Sequence, residues 1–496
     1  MLGSAPKAVR SSRYGAAPVL LPRAVLLSLP ASLAIAACGS GTEPPPRPRG
    51  TPFWSDGKHL RDAEGRVVIL RGVNARVQGV FDVTFDDRPG DTRAPLEDIP
   101  ALTDGDCKRM RALGFDLLRL PINWSGIEPE KDQIDEAYLA NVDAAIACAA
   151  SAGVSVIVDF HQDAYSKEIG EDGAPLWAIQ PPPTMLLGGP LEDLGARRLS
   201  RQVRDAFETF FTVGDPSGMQ KEMIDVIGLV AARYADNPAV VGIELYNEPD
   251  TGQRELNGFH PPAAAAVRDN APDKLVFFEP PVIRNLFDYV APSSKPFPVE
   301  GAVYSPHIYT CVFQLDRTCF DTLTAETLEP SVKAARREAE AWEAPLFIGE
   351  FGVGPYPGQE QVWMSAEAEL HDRYLASNAY WVWKEQSQAN WGLFDWDGEV
   401  WTERPLVVRW LSRVHPSRIG GEPVRVDYDW DADRLVIEIA RGTATAAPTV
   451  VYVPERLKAD GAYAVTCDGA AVVAPRDEAT GLIEVACGGV LEVGPT

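Results

Sequence analysis

Short apolar runs alternate with stretches of helical period along most of the chain. In residues 138–153, 221–237 and 327–343 the apolar positions recur every three or four residues, which predicts amphipathic helices. A strand that is apolar on both faces and is followed by a helix is typical of a parallel sheet covered on both sides. Eight such units predict a (β/α)8 barrel, the TIM barrel of the α/β class, over residues 52–415. The eight apolar runs are 67–74, 116–123, 154–161, 240–249, 274–280, 301–309, 345–352 and 379–384.

The pattern changes after residue 415. Residues 424–493 contain short runs of alternating apolar and polar residues, separated by Gly, Asp and Pro and without helical period. This pattern predicts a small antiparallel β-sandwich domain over residues 416–496. An appended domain of this kind more often packs on a barrel than binds a ligand, so we favour a structural role over sugar binding.

The first fifty residues have the organisation of an export signal and a spacer. Basic residues precede an apolar run, residues 24–38, which is too short for a stable transmembrane helix and ends in small residues before Cys38. We therefore predict a signal peptide over residues 1–37. The sequence IAAC before the spacer resembles a bacterial lipoprotein box, which implies a lipid on Cys38 and attachment to the outer membrane; ordinary secretion with a free Cys38 thiol is the alternative. The proline-rich residues 38–51 are predicted to form a flexible linker.

Composition and charge exclude several classes of partner and cofactor. With 46 Lys and Arg against 71 Asp and Glu, the chain has a formal charge of −25 and no basic stripe, so we expect no nucleic acid partner. The histidines and cysteines show no metal-ligand spacing, and we expect no metal ion or other cofactor. Six cysteines remain beside Cys38, and an even number in an exported chain indicates disulfides. The simplest of the fifteen ways to pair six cysteines is Cys107–Cys148, Cys311–Cys319 and Cys467–Cys487.

Two glutamates stand where predicted barrel strands end. Glu248 lies in GIELYNEPDT after the fourth run, and Glu350 lies in FIGEFG at the end of the seventh. Barrel active sites lie at the carboxyl ends of the strands, so both side chains are expected at one mouth. A retaining glycosidase needs two carboxyl groups about 5–5.5 Å apart, one to protonate the leaving oxygen and one to attack the anomeric carbon. Either glutamate alone could cap a helix or form an ion pair, but the two together favour catalysis.

The segments LYNEP and FIGEFG resemble the signature of glycoside hydrolase family 5, whose barrels carry two catalytic glutamates on strands four and seven. Further matches fall at strand ends in the order that the family uses, and the resemblance covers residues 52–415. It implies a TIM barrel and a retaining β-glycosidase without a cofactor. The further matches are Arg119 in LLRLPINW, His161 in DFHQD, Asn247 beside Glu248, His307 and Tyr309 in PHIY, and a tryptophan in YWVWK.

The resemblance implies distinct roles for the two glutamates. Glu350 is the expected nucleophile, with Tyr309 and Arg119 as donors that keep it ionised and oriented. Glu248 is the expected acid/base and must be protonated when the glycosidic bond breaks. Repulsion between the two carboxylates is expected to place the pKa of Glu248 above that of Glu350.

The other matching residues are expected to contact the sugar. Asn247 is placed to bond the sugar 2-hydroxyl. A lone histidine is more often structural, but His161 and His307 both lie at strand ends, which favours a role in holding hydroxyls or orienting carboxylates. Trp381 and Trp383 are predicted to share one face of strand eight. Trp383, nearer the mouth, is the expected sugar-stacking residue, and Trp381 is the expected core aromatic.

The segment after the third strand is similar to the endoglycoceramidase branch of the family, whose members cleave the bond between an oligosaccharide and ceramide. The similarity implies that Asp163 contacts the glucose next to the lipid, and that a basic residue after the first strand contacts sugar, for which the sequence offers Arg76. Residues 162–220 are far longer than an ordinary strand-to-helix loop. Their apolar residues are expected either to receive an apolar aglycone or to pack on the barrel. These residues are Trp177, Ile179, Met185, Leu186 and Leu187.

We therefore expect an exported, lipid-anchored retaining β-glycosidase that hydrolyses the β-glucosidic bond between glycan and ceramide in glycosphingolipids. The alternative among enzymes is an endo-β-1,4-glucanase or β-mannanase of the same fold, with aromatic residues along a polysaccharide cleft in place of an apolar pocket. The alternative outside enzymes is a surface glycan-binding lipoprotein without turnover. The presence of both glutamates disfavours that alternative.

Overall fold

The computed structural model describes residues 52–85, 88–286, 297–313, 318–354, 359–386, 391–458 and 461–496. The signal peptide, the linker and the lipid on Cys38 were predicted for residues outside these ranges, so all three stay predictions. Among the described residues, no helix combines the length and the apolar character needed to cross a membrane.

Eight parallel strands form the barrel. They are β4 Arg71–Asn74, β5 Leu117–Ile122, β6 Ser155–Phe160, β7 Val240–Glu244, β8 Leu275–Phe278, β9 Ala302–Tyr304, β10 Phe347–Phe351 and β11 Ser377–Tyr380. The order along the sheet is β10-β11-β4-β5-β6-β7-β8-β9, and a bridge between Tyr304 and Leu346 brings β9 beside β10. Each of the eight predicted runs contains or overlaps one of these strands, which confirms the TIM barrel.

The inner face of the barrel changes from apolar to charged along its strands. Side chains two residues apart share one face of a strand, so Arg119 follows Leu117 inside β5 and Asp159 follows Ile157 inside β6. Arg119 and Asp159 meet at 3.0 Å. The apolar residues form one buried cluster, and the charged residues lie beyond it toward the mouth. The cluster includes Leu70, Leu117, Ile157, Val241, Leu275, Phe277, Val303, Phe347 and Ala379.

Helices cover the barrel from outside. In the helix Glu136–Ser151 the side chain of Asp135 accepts hydrogen bonds from the N–H groups of Ala137 and Tyr138, which satisfies two donors of the first turn. Its buried residues Leu139, Val142, Ile146 and Ala149 follow the helical period, as the sequence predicts. The helices are α1 Asp104–Ala112, α2 Trp124–Ile127, α3 Glu136–Ser151, α4 Leu194–Arg198, α5 Arg201–Phe210, α6 Met219–Tyr234, α7 Gln253–Asn270, α8 Ile283–Leu286, α9 Thr318–Asp321, α10 Ala325–Trp342, α11 Glu360–Arg373 and α12 Pro405–Leu411.

The C-terminal part is antiparallel, as predicted. After the hairpin β12 Phe394–Trp396 and β13 Trp401–Glu403, its strands are β14 His415–Ile419, β15 Pro423–Asp429, β16 Arg434–Ile439, β17 Thr449–Tyr452, β18 Tyr463–Cys467, β19 Ala470–Ala471, β20 Leu482–Val485 and β21 Val490–Pro495. One sheet has the order β15-β16-β21-β18-β19, and the other contains β14, β17 and β20. Residues from both sheets share one buried cluster, including Leu435, Ile437, Val451, Ile483 and Leu491.

The first three strands of the described chain belong to the C-terminal sheet that contains β14, β17 and β20. They are β1 Trp54–Ser55, β2 Leu60–Arg61 and β3 Val67–Val68, and the sheet runs β1-β2-β3-β14-β17-β20. Val68 of β3 pairs with Arg418 of β14. The sequence placed residues 52–415 in the barrel alone, but residues 54–68 join the second domain. The run 67–74, predicted as one strand, is divided between the two sheets.

A buried ion-pair network, which we call the basal network, lies at the amino end of the barrel. Asp372 is 2.5 Å from Nη2 of Arg71 and 2.6 Å from Nη1 of Arg413. Asp116 accepts from the Arg71 backbone N–H at 3.0 Å and lies 3.4 Å from Arg418 of β14. Burial raises the pKa of Asp372, but the two guanidiniums outweigh burial and hold this pKa below its usual value. The network links the barrel to the C-terminal domain.

Three disulfides join the six described cysteines. Cys107–Cys148, Cys311–Cys319 and Cys467–Cys487 have Cα–Cα distances of 6.0, 5.5 and 5.7 Å. The pairing of nearest neighbours in the sequence is therefore confirmed. Cys311 comes two residues after Tyr309, so the second disulfide joins a position close to this candidate site residue to Cys319 of α9.

Some apolar residues of the long segment between β6 and α6 pack on the barrel, and others are exposed to solvent. Ile179 is buried, and Trp177 packs edge-on against Trp124 with ring centroids 5.2 Å apart. These two residues pack on the barrel. Met185 and Leu186 are 61% and 44% exposed, so they are free to contact another molecule.

Candidate active site

A charged cluster, which we call the mouth cluster, fills the carboxyl end of the barrel. Arg119 is at its centre and lies 2.5 Å from Glu244, 3.0 Å from Asp159 and 3.4 Å from Glu279. Each of these side chains is buried. Burial lowers the pKa of Arg119, but the carboxylates around it raise this pKa well above its usual value. The guanidinium is therefore permanently charged and holds several carboxylates in place.

Glu350 is the second-to-last residue of β10 and accepts hydrogen bonds from two side chains. Arg119 Nη1 donates to Glu350 Oε1 at 2.8 Å, and Tyr309 Oη donates to Glu350 Oε2 at 2.8 Å. His307 Nδ1 lies 3.5 Å from Oε2. Both oxygens of Glu350 therefore have donors, which hold the carboxylate in one orientation as a nucleophile requires.

Glu248 lies four residues beyond β7 and is more open to the mouth, with a side chain that is 16% exposed. Its Oε1 lies 2.9 Å from His307 Nδ1 and accepts from Asn285 Nδ2 at 3.2 Å. Its backbone has φ +41°, a left-handed conformation that costs a residue other than glycine about 1–3 kcal/mol. The Glu248 N–H donates to Glu279 Oε2 at 3.0 Å, which helps to hold this conformation.

The two candidate catalytic carboxylates are close together. One ligand atom from each of Glu248, His307 and Glu350 lies within 4.8 Å of the other two. Burial raises the pKa of Glu248. The hydrogen bond from His307 and the charge of His307 outweigh burial and lower this pKa to about 2. Burial lowers the pKa of His307 itself, and Glu279 and Glu350 raise it well above its usual value. The protonated form of Glu248 that repulsion between carboxylates predicts is therefore not the favoured form in the free enzyme.

Asn247 and His161 are held by the protein. Asn247 donates from Nδ2 to the Gln162 carbonyl at 3.0 Å and accepts from Arg119 at 2.8 Å. His161 Nδ1 lies 2.7 Å from Asp159 Oδ2. Burial lowers the pKa of His161, but Asp159 and other acidic neighbours raise it to about 9. The imidazole is therefore a fixed cation at the mouth.

Asp163 is paired within the long segment. It forms a salt bridge with Arg198 of α4, with Arg198 Nε 2.6 Å from Asp163 Oδ1. The predicted contact of Asp163 with sugar thus competes with this pair. Arg76, the candidate basic residue after the first strand, is fully buried between Glu97 at 2.5 Å and Glu385 at 2.7 Å. This position makes Arg76 a structural ion-pair partner.

The structure contradicts the prediction for the two tryptophans after β11. That strand ends at Tyr380, so the alternation of faces assumed for Trp381 and Trp383 does not continue beyond it. Trp383 is 2% exposed and donates from Nε1 to Asp106 at 3.0 Å, which makes it the core aromatic. Trp381 is half-buried and lies parallel to the His161 ring with centroids 5.5 Å apart. Trp381 takes the position at the mouth that the sequence assigned to Trp383.

Sequence reasoning missed three carboxylates of the mouth cluster. Asp159, Glu244 and Glu279 interrupt the apolar runs of β6, β7 and β8 in VIVDFH, VGIELY and VFFEPP. A carboxylate within an apolar run is the same signal that singled out Glu248 and Glu350. The same signal marks Asp159, Glu244 and Glu279 in the sequence.

Metal-ligating atoms come together at the site. Besides the set that contains Glu248 and Glu350, Glu244, Glu279 and His307 each offer one ligand atom within 4.8 Å of the others. The Arg119 guanidinium and the His307 imidazole already supply positive charge between these carboxylates. These residues therefore fit an ion-pair network in which Arg119 and His307 supply the positive charge that a metal ion would otherwise supply.

An eight-stranded parallel barrel with two close carboxylates and their donors at its mouth defines a barrel glycosidase. The chain belongs to glycoside hydrolase family 5 and is a glycoside hydrolase. The family model described as "Cellulase (glycosyl hydrolase family 5)" matches residues 100–387. The model described as "Glycoside hydrolase family 5 C-terminal domain" matches residues 413–489.

The relatives of this chain include endoglycoceramidases. Endoglycoceramidase I of Rhodococcus hoagii strain 103S is 28% identical over 448 residues, which are 85% of this chain and 83% of that protein. Two solved structures of endo-glycoceramidase II from Rhodococcus sp. are each 25% identical, with a TM-score of 0.71 and 88% of this chain covered. One is a lactosyl-enzyme intermediate matched over 100% of its chain, and the other is a ganglioside GM3 complex matched over 99%.

Proposed function

We propose that this protein is a retaining β-glycosidase that hydrolyses the bond between glycan and ceramide in glycosphingolipids, with Glu350 as nucleophile and Glu248 as acid/base. The observation that carries the chemistry is the separation of their carboxylates, with ligand atoms within 4.8 Å of each other. Retaining glycosidases hold the two carboxyl groups about 5–5.5 Å apart, and inverting ones about 6.5–9.5 Å apart to admit a water molecule. The shorter separation supports retention.

The contacts of the two glutamates support this assignment of roles. Arg119 donates to one oxygen of Glu350 and Tyr309 to the other, which fixes the nucleophile in position. Glu248 is more exposed than Glu350, at 16% against 6% of the side chain, so it can reach a leaving oxygen at the mouth. Its contact with an imidazole gives it a partner for proton exchange.

The reaction then proceeds by two displacements. Glu350 forms a bond to the anomeric carbon while the bond to the leaving oxygen breaks, and Glu248 gives its proton to that oxygen. In the second displacement Glu248 takes a proton from water, the water oxygen attacks the anomeric carbon, and Glu350 leaves as a carboxylate. The half-buried Trp381 ring beside His161 offers an aromatic face for the sugar.

The glycolipid substrate is supported by the names of the relatives and by an exposed apolar edge on the long segment. We define this edge as Met185, Leu186 and Leu199, which are 61%, 44% and 78% exposed. Gln202 donates from Nε2 to the Met185 carbonyl at 3.1 Å, so Met185 lies beside the first turn of α5. The adjoining α4 carries Arg198, which pairs with Asp163 just beyond β6. An apolar edge near the mouth can cover a ceramide that has left its membrane, at about 25 cal/mol per Å² of apolar surface.

A double substitution tests the glycolipid assignment. We expect Met185→Ser with Leu186→Ser to lower kcat/KM on a glycosphingolipid in mixed micelles about tenfold, because about 1.4 kcal/mol of apolar contact is lost in the transition state. Hydrolysis of a short water-soluble aryl β-glycoside should change less than about twofold. Val473→Ser on the C-terminal domain is the matched control, since Val473 is 95% exposed and far along the chain from the mouth. An equal loss on both substrates would contradict a role in aglycone binding.

A substrate panel separates this proposal from its alternatives. The panel contains glycosphingolipids, alkyl glucosides, soluble β-glucans and mannans, with products identified by mass spectrometry. We expect release of intact oligosaccharide and ceramide. Preference for a soluble polysaccharide over every glycolipid would replace the proposal with the glucanase or mannanase alternative. Binding of glycans without any turnover would favour the glycan-binding lipoprotein.

We also propose export and a lipid on Cys38, which rest on the sequence of residues 1–51. In a Gram-negative host that expresses the full chain, the protein should sediment with membranes. Cys38→Ser should move it to the soluble fraction. Unchanged membrane association of the substituted protein would contradict the anchor.

A further inference from the structure

Exposed large apolar side chains are concentrated at the mouth end of the barrel. Among the residues that the structure describes, twelve such side chains are exposed, and Met185 and Phe313 are two of them. Nine of the twelve lie on a connection that leaves the carboxyl end of a barrel strand, or in the first turn of the helix that follows. The exceptions are Leu229 in α6 and Val424 and Val473 in the C-terminal domain. Apolar exposure is therefore biased toward the end that carries the active site.

Three of the nine lie on well-separated parts of the mouth, and we call them the mouth-face residues. Val213 follows β6 and lies beside the start of α6, where the Gln220 amide donates to the Phe210 carbonyl at 2.6 Å. Ile283 is in α8, after β8, and Leu406 is in the first turn of α12, after β11. Their exposed fractions are 53%, 51% and 65%. No two of β6, β8 and β11 are neighbours in the barrel, so the three side chains are distributed around the mouth.

We propose that the mouth end of the barrel docks on the surface of a zwitterionic lipid bilayer, with the mouth-face residues entering the headgroup region. The choice of a lipid partner rests on the glycolipid function proposed above. Single apolar side chains on separate connections do not line one groove for a protein segment. A flat and deformable lipid surface can contact all of them at once, and apolar side chains at such a surface bind by burial. Docking in this orientation brings the two catalytic glutamates to the plane in which glycan and ceramide are joined.

The charge of the chain favours a zwitterionic surface over an anionic one. The formal charge is −25, so an anionic bilayer repels the protein as a whole. Apolar burial carries no such penalty and is not screened by salt. Binding should therefore depend on the mouth-face residues and need no anionic lipid.

A triple substitution tests the docking surface. The full chain with Cys38→Ser, recovered from the soluble fraction, provides a parent protein without a lipid anchor. Sedimentation with phosphatidylcholine vesicles that contain no glycolipid measures its partition between water and bilayer. We expect Val213→Ser, Ile283→Ser and Leu406→Ser together to lower the partition coefficient about tenfold, because three apolar contacts with the bilayer are lost.

The three exposed apolar residues away from the mouth provide a matched control. Leu229→Ser, Val424→Ser and Val473→Ser together make the same chemical change at side chains that are 36%, 60% and 95% exposed. This triple variant should partition within about twofold of the parent. Equal losses in the two triple variants, or no loss in the mouth-face variant, would overturn the proposal.

Lipid composition and salt test the kind of surface. Replacement of part of the phosphatidylcholine by phosphatidylglycerol should weaken binding, and a rise in salt from about 0.1 M to about 1 M should not release the protein from pure phosphatidylcholine. Binding that requires the anionic lipid and is lost at high salt would overturn the proposal.

Activity separates docking from the function on which it rests. The mouth-face variant should lose about tenfold in kcat/KM on lactosylceramide in vesicles. On octyl β-lactoside below its micelle concentration the loss should stay within about twofold. If the parent binds only vesicles that contain glycosphingolipid, docking is wrong and the proposed function stands. If it binds glycolipid-free vesicles through the mouth-face residues but releases no ceramide from glycosphingolipids, docking stands and the proposed function is wrong.

Discussion

The barrel carries a buried charged cluster at each end, and the two differ in balance. In the basal network Asp372 contacts both Arg71 and Arg413, and Asp116 lies beside Arg418. In the mouth cluster a single guanidinium, that of Arg119, is shared by carboxylates from four strand ends, which are Asp159, Glu244, Glu279 and Glu350.

The difference appears in the direction of the pKa shifts. Burial raises the pKa of both Asp372 and Glu279, but two guanidiniums reverse the effect at Asp372, whereas Glu279 remains raised to about 8. A balanced cluster fixes its charges and joins two domains. A cluster with surplus acid keeps a group that can exchange a proton near neutral pH, which is what general acid catalysis requires.

The largest expected effect comes from removing the candidate nucleophile. Glu350→Ala should lower kcat on an aryl β-glycoside by on the order of 10⁴ or more, because no covalent intermediate can form. The melting temperature should not fall by more than about 2 °C, since Arg119 keeps its other carboxylate partners. Hydrolysis assays and thermal unfolding of the same sample check both statements. A large loss of stability together with residual turnover would contradict the distinction between a catalytic mouth cluster and a structural basal network.

Breaking the basal network should have the opposite signature. Asp372→Ala leaves Arg71 and Arg413 buried without their shared carboxylate, which should lower the free energy of unfolding by about 3–5 kcal/mol. Urea unfolding measures this loss, and activity per folded molecule should stay within about twofold. Glu492→Ala is the control, because its pair with Arg434 is exposed and contributes about 1 kcal/mol or less. Equal stability of the two variants would contradict the structural role of the network.

The smallest expected effect is a difference in pH dependence. Glu279 has a folded pKa of about 8 against 4.5 in the unfolded chain, so its protonation stabilises the fold at low pH and this contribution is lost as the pH rises toward 8. Asp372 has a lowered pKa, so its contribution is lost only as the pH falls below 3.8. Relative to Glu279→Gln, the wild type should therefore lose stability between pH 5 and 8. Parallel unfolding curves over this range would contradict the surplus of acid at the mouth.

The local pattern predicts much of the fold and part of the site. Apolar runs located the eight barrel strands, because both faces of such strands are buried and leave a clear signal. Alternation failed at Trp381 and Trp383, since it holds only while the chain remains a strand and β11 ends at Tyr380. The ionised state of Glu248 depends on His307, which lies 59 positions away in the sequence, and such long-range contacts are not visible in a local pattern.

The pairing of β3 with β14 has a consequence for biosynthesis. The strands at residues 54–68 emerge from the ribosome before the whole barrel, and their partners β14, β17 and β20 emerge after it. The early strands therefore lack the partner of β3 until translation is nearly complete. An open strand edge can pair with other chains during that time. When this sheet forms, the first strands of the described chain pair with strands near its end. A truncation that removes the last eighty residues should thus expose the start of the protein as well as its end.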